Sequence, residues 1–138
     1  MSKKELFTRI NALCEEMDYK YEINNGGCCF VAAVIAENLE RFNIKFRAIE
    51  YFCPCHYVIE VEDRLLNRGS FPPRNSSKVD FDYLDYSSSH ELYDIYYSND
   101  WNHMYSRRWN LIVSTRIKAL FNKYGNSRKR LCSRTNIK

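Results

Sequence analysis

No stretch of about 18 consecutive apolar residues occurs in this chain, and a helix that crosses a bilayer needs a run of that order. No helical membrane span is therefore expected. The opening segment "MSKKELFTRINALCEEM" has charges throughout and lacks the uninterrupted apolar core of a secretory signal, so a cytoplasmic protein is expected. Proline is scarce, and two of the three prolines sit together in "GSFPPRNSSK", which marks one strong break in the chain. No internal repeat is visible. Acidic residues are missing from the last stretch, "NSRKRLCSRTNIK", where Arg128, Lys129, Arg130, Arg134 and Lys138 supply five positive charges. Since the whole chain carries only +4, the remainder is slightly acidic. This predicts one near-neutral domain over residues 1–125 and a basic, flexible tail over 126–138. Such a tail is either simply solvated or a contact for nucleic acid.

What is present suits a single folded domain. The chain has 138 residues, of which 45% are hydrophobic and 15% aromatic, enough for one core and not for two. Tyrosine is abundant, at 11 residues; it suits half-buried positions where the ring packs and the hydroxyl stays wet. Six cysteines in a chain of this length, without a secretory signal, read as reduced thiols rather than a disulfide framework.

Periodicity predicts the elements. Leu6, Ile10, Leu13, Cys14 and Met17 recur at helical spacing behind Ser2, a suitable cap, and the linker "DYKYEINNGG" ends that helix. A second helix starts at about Cys29, with Val31, Val34, Ile35, Leu39 and Phe42 on one stripe. Strands are expected in "IKFRAIEYF", "HYVIEVED" and "RLLNRG", the last two joined by a turn at Glu62 and Asp63. A final helix is expected from about Arg107 to Tyr124, with Gly125 as its stop. The aromatic, acidic segment between Ser87 and Asn102 has no clear period.

Two adjacent cysteines open the second helix, in "NNGGCCFVAAVIAENL". A helix N-terminus favours the thiolate through its unpaired N–H groups, and Gly26 and Gly27 leave room for a substrate beside the sulfur. A nucleophilic cysteine needs a base, and His56, at the head of "HYVIEVED", is the candidate. If Glu62 and Asp63 form a two-residue loop, Val58 faces Asn67. Side chains alternate along a strand, so Asn67 then shares a face with His56 and lies within reach to orient its ring.

"GCCFVAA" resembles the nucleophile segment of the papain-like and transglutaminase-like thiol enzymes, in which a glycine, any residue, the cysteine and an aromatic residue open a helix. "HYVIEVEDRLLN" is similar to their histidine-bearing strand and the strand after it, and the order Cys, His, Asn matches. The likeness covers roughly residues 24–68. It implies an α+β domain of that architecture, with N-terminal helices packed on a short antiparallel sheet and a C-terminal helix. It further implies cysteine-dependent hydrolysis of, or acyl transfer from, amide bonds in a peptide or protein substrate, with no cofactor. On this register Cys29 is the nucleophile, His56 the base and Asn67 the third residue; Cys28 is the alternative nucleophile, and Asp80 or Asp82 the alternative third residue. Asn25 is a weak substitute for the family's oxyanion glutamine.

Three other readings stand beside this one. The cysteines are ordinary core residues. "CPCH" places Cys53, Cys55 and His56 close enough to begin a zinc site. Or the domain keeps the fold without catalysis and binds a partner through its tyrosine-rich half and basic tail. His90 and His103 are expected at the surface.

Overall fold

The computed structural model describes residues 1–24, 27–52, 56–69, 81–84, 87–98 and 107–136. The chain is α+β, with four helices and a four-stranded antiparallel sheet among the described residues. Helix α1 (Lys3–Tyr21) begins as its sequence predicts, with the Glu5 N–H donating to the Ser2 hydroxyl at 3.1 Å. It ends later, inside the expected linker, where Glu22 turns left-handed (φ 53°) and its N–H returns to the Asp18 carbonyl. Helix α2 (Cys28–Arg41) is buried at eleven of its 14 positions. That burial makes it the central helix.

Strands β1 (Arg47–Tyr51), β2 (His56–Val61), β3 (Arg64–Leu66) and β4 (Phe81–Tyr83) lie in the order β3-β2-β1-β4. Glu62 and Asp63 form the two-residue loop, both with positive φ (49° and 63°), the geometry whose twist matches that of the flanking strands. The register follows: Ile59 faces Leu66, Glu60 faces Leu65 and Val61 faces Arg64. Every residue of β2 is buried because both faces of the sheet are covered. Ala48, Tyr57, Ile59 and Val61 join the helices in the main core, whereas Ile49, Tyr51 and Val58 form a smaller cluster on the opposite face with Leu65, Phe81 and Tyr83.

The aromatic segment without a clear period contains helix α3 (Ser89–Ser98). It packs on α2 through Leu92 and Tyr96, one turn apart and both buried. Helix α4 (Arg107–Asn136) corrects the expected stop at Gly125, for it runs on to Asn136. Gly125 serves packing instead. A Cβ there would stand 2.8 Å from two ring atoms of Phe42, so the absence of a side chain lets α4 close on that ring. The basic segment after it is helical to Asn136.

Candidate active site

Helix α2 starts without a side-chain cap. Gly27 is its N-cap, and Cys28 and Cys29 are its first two residues. Successive helical residues diverge by about 100°, and the two thiols belong to different sides. The Cys29 sulfhydryl donates to the Leu92 carbonyl of α3 at 3.2 Å and the residue is 1% exposed. Phe30, Glu37 and Glu40 share its side, since they touch Tyr93 and Tyr96, Tyr93, and Ser89 respectively. Val34, Asn38 and Arg41 border a groove with Ser114, Thr115 and Lys118 of α4. The stripe left to meet the sheet is Cys28, Ala32, Ile35 and Leu39, all buried. The expected nucleophile, Cys29, is thus committed to the α2–α3 seam, and Cys28 heads the stripe on the sheet side.

His56 opens β2 opposite Tyr51 of β1 and is 1% exposed. Its Nε2 lies 2.8 Å from the Asn67 carbonyl. A carbonyl only accepts, so Nε2 carries the hydrogen and, in the neutral ring, Nδ1 is the basic nitrogen. His56 and Asn67 therefore meet, but not as alternation predicted. Asn67 adopts φ 61° directly after β3, a left-handed turn that Asn tolerates better than most residues. The turn breaks the strand's alternation and brings the main-chain oxygen, rather than the amide side chain, to the imidazole. That side chain pairs instead with Asn24: Asn67 Nδ2 donates to Asn24 Oδ1 at 3.0 Å, and Asn24 Nδ2 donates to Asn67 Oδ1 at 3.3 Å. The Asn67 N–H donates to Asn11 Oδ1, and Asn11 Nδ2 donates to the Leu65 carbonyl.

Strand alternation assigns His56 to the face of Tyr51 and Val58, opposite the one that meets α2. The ring sits at the end of the sheet, where β2 begins and β3 ends. The segment leading into α2 passes that point, as the Asn24–Asn67 pair records, and Asn24 lies four residues ahead of Cys28. Burial lowers the pKa of His56 below its ordinary 6.5, opposed by the Asn67 carbonyl, the charge of Asp18 and a backbone hydrogen bond to Arg68. The ring is neutral at pH 7, as a base must be. Asp18 also fixes the approach to α2, for its Oδ1 accepts the Asn24 N–H at 3.0 Å.

A cleft of about 550 Å³ opens beside these groups, lined by Asn11, Cys14, Asp18, Asn24, Asn67 and Arg68 among others. Burial pushes the Cys14 thiol up to about 12, which keeps it protonated and inert. Asn11, Asp18 and Asn24 are the site residues that sequence reasoning missed. A signal existed: Asn11 and Asp18, seven residues apart, share a side of α1 at the edge of its apolar stripe.

The other candidates fall away or lie elsewhere. Asp82 is exposed on the edge strand β4, two strands from β2, and accepts the N–H of the next residue. His90 is exposed and pairs with Asp94 one turn on. Asn25, Gly26, Cys53, Cys55, Asp80 and His103 lie outside the described residues. Among the described residues no group of three or more His, Cys, Asp or Glu is placed to hold a metal ion. No helix of the described residues is long and apolar enough to cross a membrane. No protein-family model matches the chain, and neither does any curated protein or solved structure.

Proposed function

We propose that this protein is a cysteine-dependent enzyme acting on amide bonds of a peptide or protein, by hydrolysis or acyl transfer, on a papain-like or transglutaminase-like scaffold in the cytoplasm. Cys28 is the nucleophile, His56 the base and then the acid, and Asn67 the residue that holds the ring. The single observation that carries this reading is the double role of Asn67. Its carbonyl fixes the His56 tautomer, and its side chain grips Asn24 on the approach to the cysteine helix. In this reading the His56 ring takes the thiol proton, the thiolate attacks the amide carbonyl carbon, and the C–N bond breaks as the proton passes to the departing amine. Water or a second amine then gives a proton to His56 and attacks the thioester, the C–S bond breaks, and the proton returns to the sulfur of the departing thiolate. Cys28 is preferred over Cys29 because it is 8% exposed against 1%.

A reactive ester stands in for the unidentified amide. Incubation with p-nitrophenyl acetate, followed by peptide mass spectrometry, should place an acetyl group on Cys28. The adduct should persist in Cys29→Ser and disappear in Cys28→Ser and His56→Ala. An adduct on Cys29 that survives Cys28→Ser would move the nucleophile by one residue. Absence of any adduct that depends on His56 would favour a non-catalytic binding domain.

A further inference from the structure

Helix α4 carries nine lysines and arginines and no aspartate or glutamate. Helical surfaces ordinarily mix the two signs, so a 30-residue element with one sign alone calls for a partner. The structure gives this charge a shape that an irregular tail would lack. Among the residues whose burial is described, Tyr124 is the last core anchor of α4, and the helix continues from there to Asn136, which at 1.5 Å per residue adds about 18 Å. Lys123, Arg128 and Lys129 are exposed. Neither they nor Lys118 form an ion pair with a described residue. Arg128 leans on the Tyr124 ring, donating to its hydroxyl at 3.1 Å, so its guanidinium is held rather than free to collapse. The patch extends onto α1. Exposed Arg9 borders a cleft with Lys123, Asn126 and Ser127, where Glu5 is the one acid among the described residues. Lys3, paired with Glu62, lies close enough to feel the charge of Arg128.

We propose that this surface, formed by the second half of α4 and the start of α1, binds the phosphate backbone of nucleic acid. The occupant is a polyanion of regular, closely spaced charge, for duplex DNA presents a phosphate charge about every 1.7 Å along its axis. The cations recur along a rod that can lie beside such a charge array. An anionic membrane is the poorer match. An interfacial helix needs a continuous apolar stripe, and residues 126–136 contain only Leu131 and Cys132 as apolar side chains. The binding is sequence-independent, since cations aimed at phosphates carry no base readout.

The test uses the full chain and a fluorescein-labelled 20-base-pair DNA duplex, followed by anisotropy. With about four phosphates neutralised, affinity should fall roughly 100-fold between 50 and 200 mM KCl. The triple variant Lys123→Gln, Arg128→Gln, Lys129→Gln should flatten the log–log salt slope by about three. Its helical circular dichroism and Cys28 acetylation should stay unchanged, which separates this surface from the thiol site. Binding that ignores salt, or that survives the triple variant at full strength, would overturn the proposal. So would binding to phosphatidylserine vesicles with none to the duplex.

Discussion

The α2–α3 seam and the end of the sheet ahead of α2 are held together in opposite ways, and Cys29 belongs to the seam. Toward α3 the helix meets an aromatic seam, in which Phe30 packs on Tyr93 and Tyr96 with ring centres 5.9 and 5.3 Å apart. Directional bonds across it include Cys29 to Leu92, Tyr93 to Glu37, and Ser89 to Glu40. Toward the end of the sheet the chain meets a corner of amides. Asn11, Asn24 and Asn67 bond to one another or to nearby backbone, and His56 and Asp18 close the set. A seam held by buried area tolerates the loss of one atom, because its energy is spread over many weak contacts. A corner held by directional bonds does not, because removing one partner leaves another buried and unsatisfied.

The comparison breaks hardest at Asn67. Asn67→Ala removes both bonds to Asn24 and places a Cβ branch without a polar tip in a left-handed backbone. Chemical denaturation should show a loss of about 3 kcal/mol, summing the unsatisfied amide and the strained conformation. Asn67→Gly should recover about 1 kcal/mol of it, since glycine takes that conformation without strain. Equal losses in the two variants would show that φ at Asn67 is not under strain.

A smaller effect is expected across the seam. Cys29→Ala should cost about 1–2 kcal/mol, from the lost bond to Leu92 and a partial cavity, while acetylation of Cys28 continues. Cys28→Ala should do the reverse to the chemistry. A variant of Cys29 that keeps full stability but loses the adduct would invert the assignment of the two thiols.

The smallest effect is one of pH. The folded-state pKa of His56 is depressed by burial, so the unfolded chain binds its proton more readily. Stability should therefore fall as pH drops from 6.5 toward that lower pKa, and change no further once both states are protonated. Thermal melts across pH 5–7 should show this shallow acid limb, and His56→Gln should remove its share. Acylation should follow the same group, persisting somewhat below pH 6.5 and failing once the ring is protonated.

Much of this arrangement was legible in the sequence, for local reasons. A two-residue turn fixes a hairpin register outright, so the pairing of β2 with β3 followed from Glu62 and Asp63. Ser2, as a cap, announced α1 in the same direct way. Helix α3 had an equivalent signal, the Ser88–Glu91 pair, with the Glu91 N–H donating to the Ser88 hydroxyl at 3.2 Å; tyrosines on every side of the segment hid its period. What stayed illegible depended on distant partners. The expectation that a glycine near the chain end stops its helix failed at Gly125, because that residue answers to the ring of Phe42 and not to its own chain end. The left-handed turn at Asn67 is stabilised by Asn11 and Asn24, from two other segments, and no spacing within β3 reveals it. The choice between Cys28 and Cys29 hung on α3, the element whose sequence was hardest to read.

The central claim is that a thiol at the head of α2 is activated by His56, and that it is Cys28. Its most direct test is the rate of iodoacetamide alkylation at each cysteine of the folded protein at pH 6, resolved by peptide mass spectrometry. Cys28 should react more than tenfold faster than Cys14 and Cys29, and His56→Ala should remove the advantage. Slow, equal labelling of all three, unchanged in His56→Ala, would contradict it.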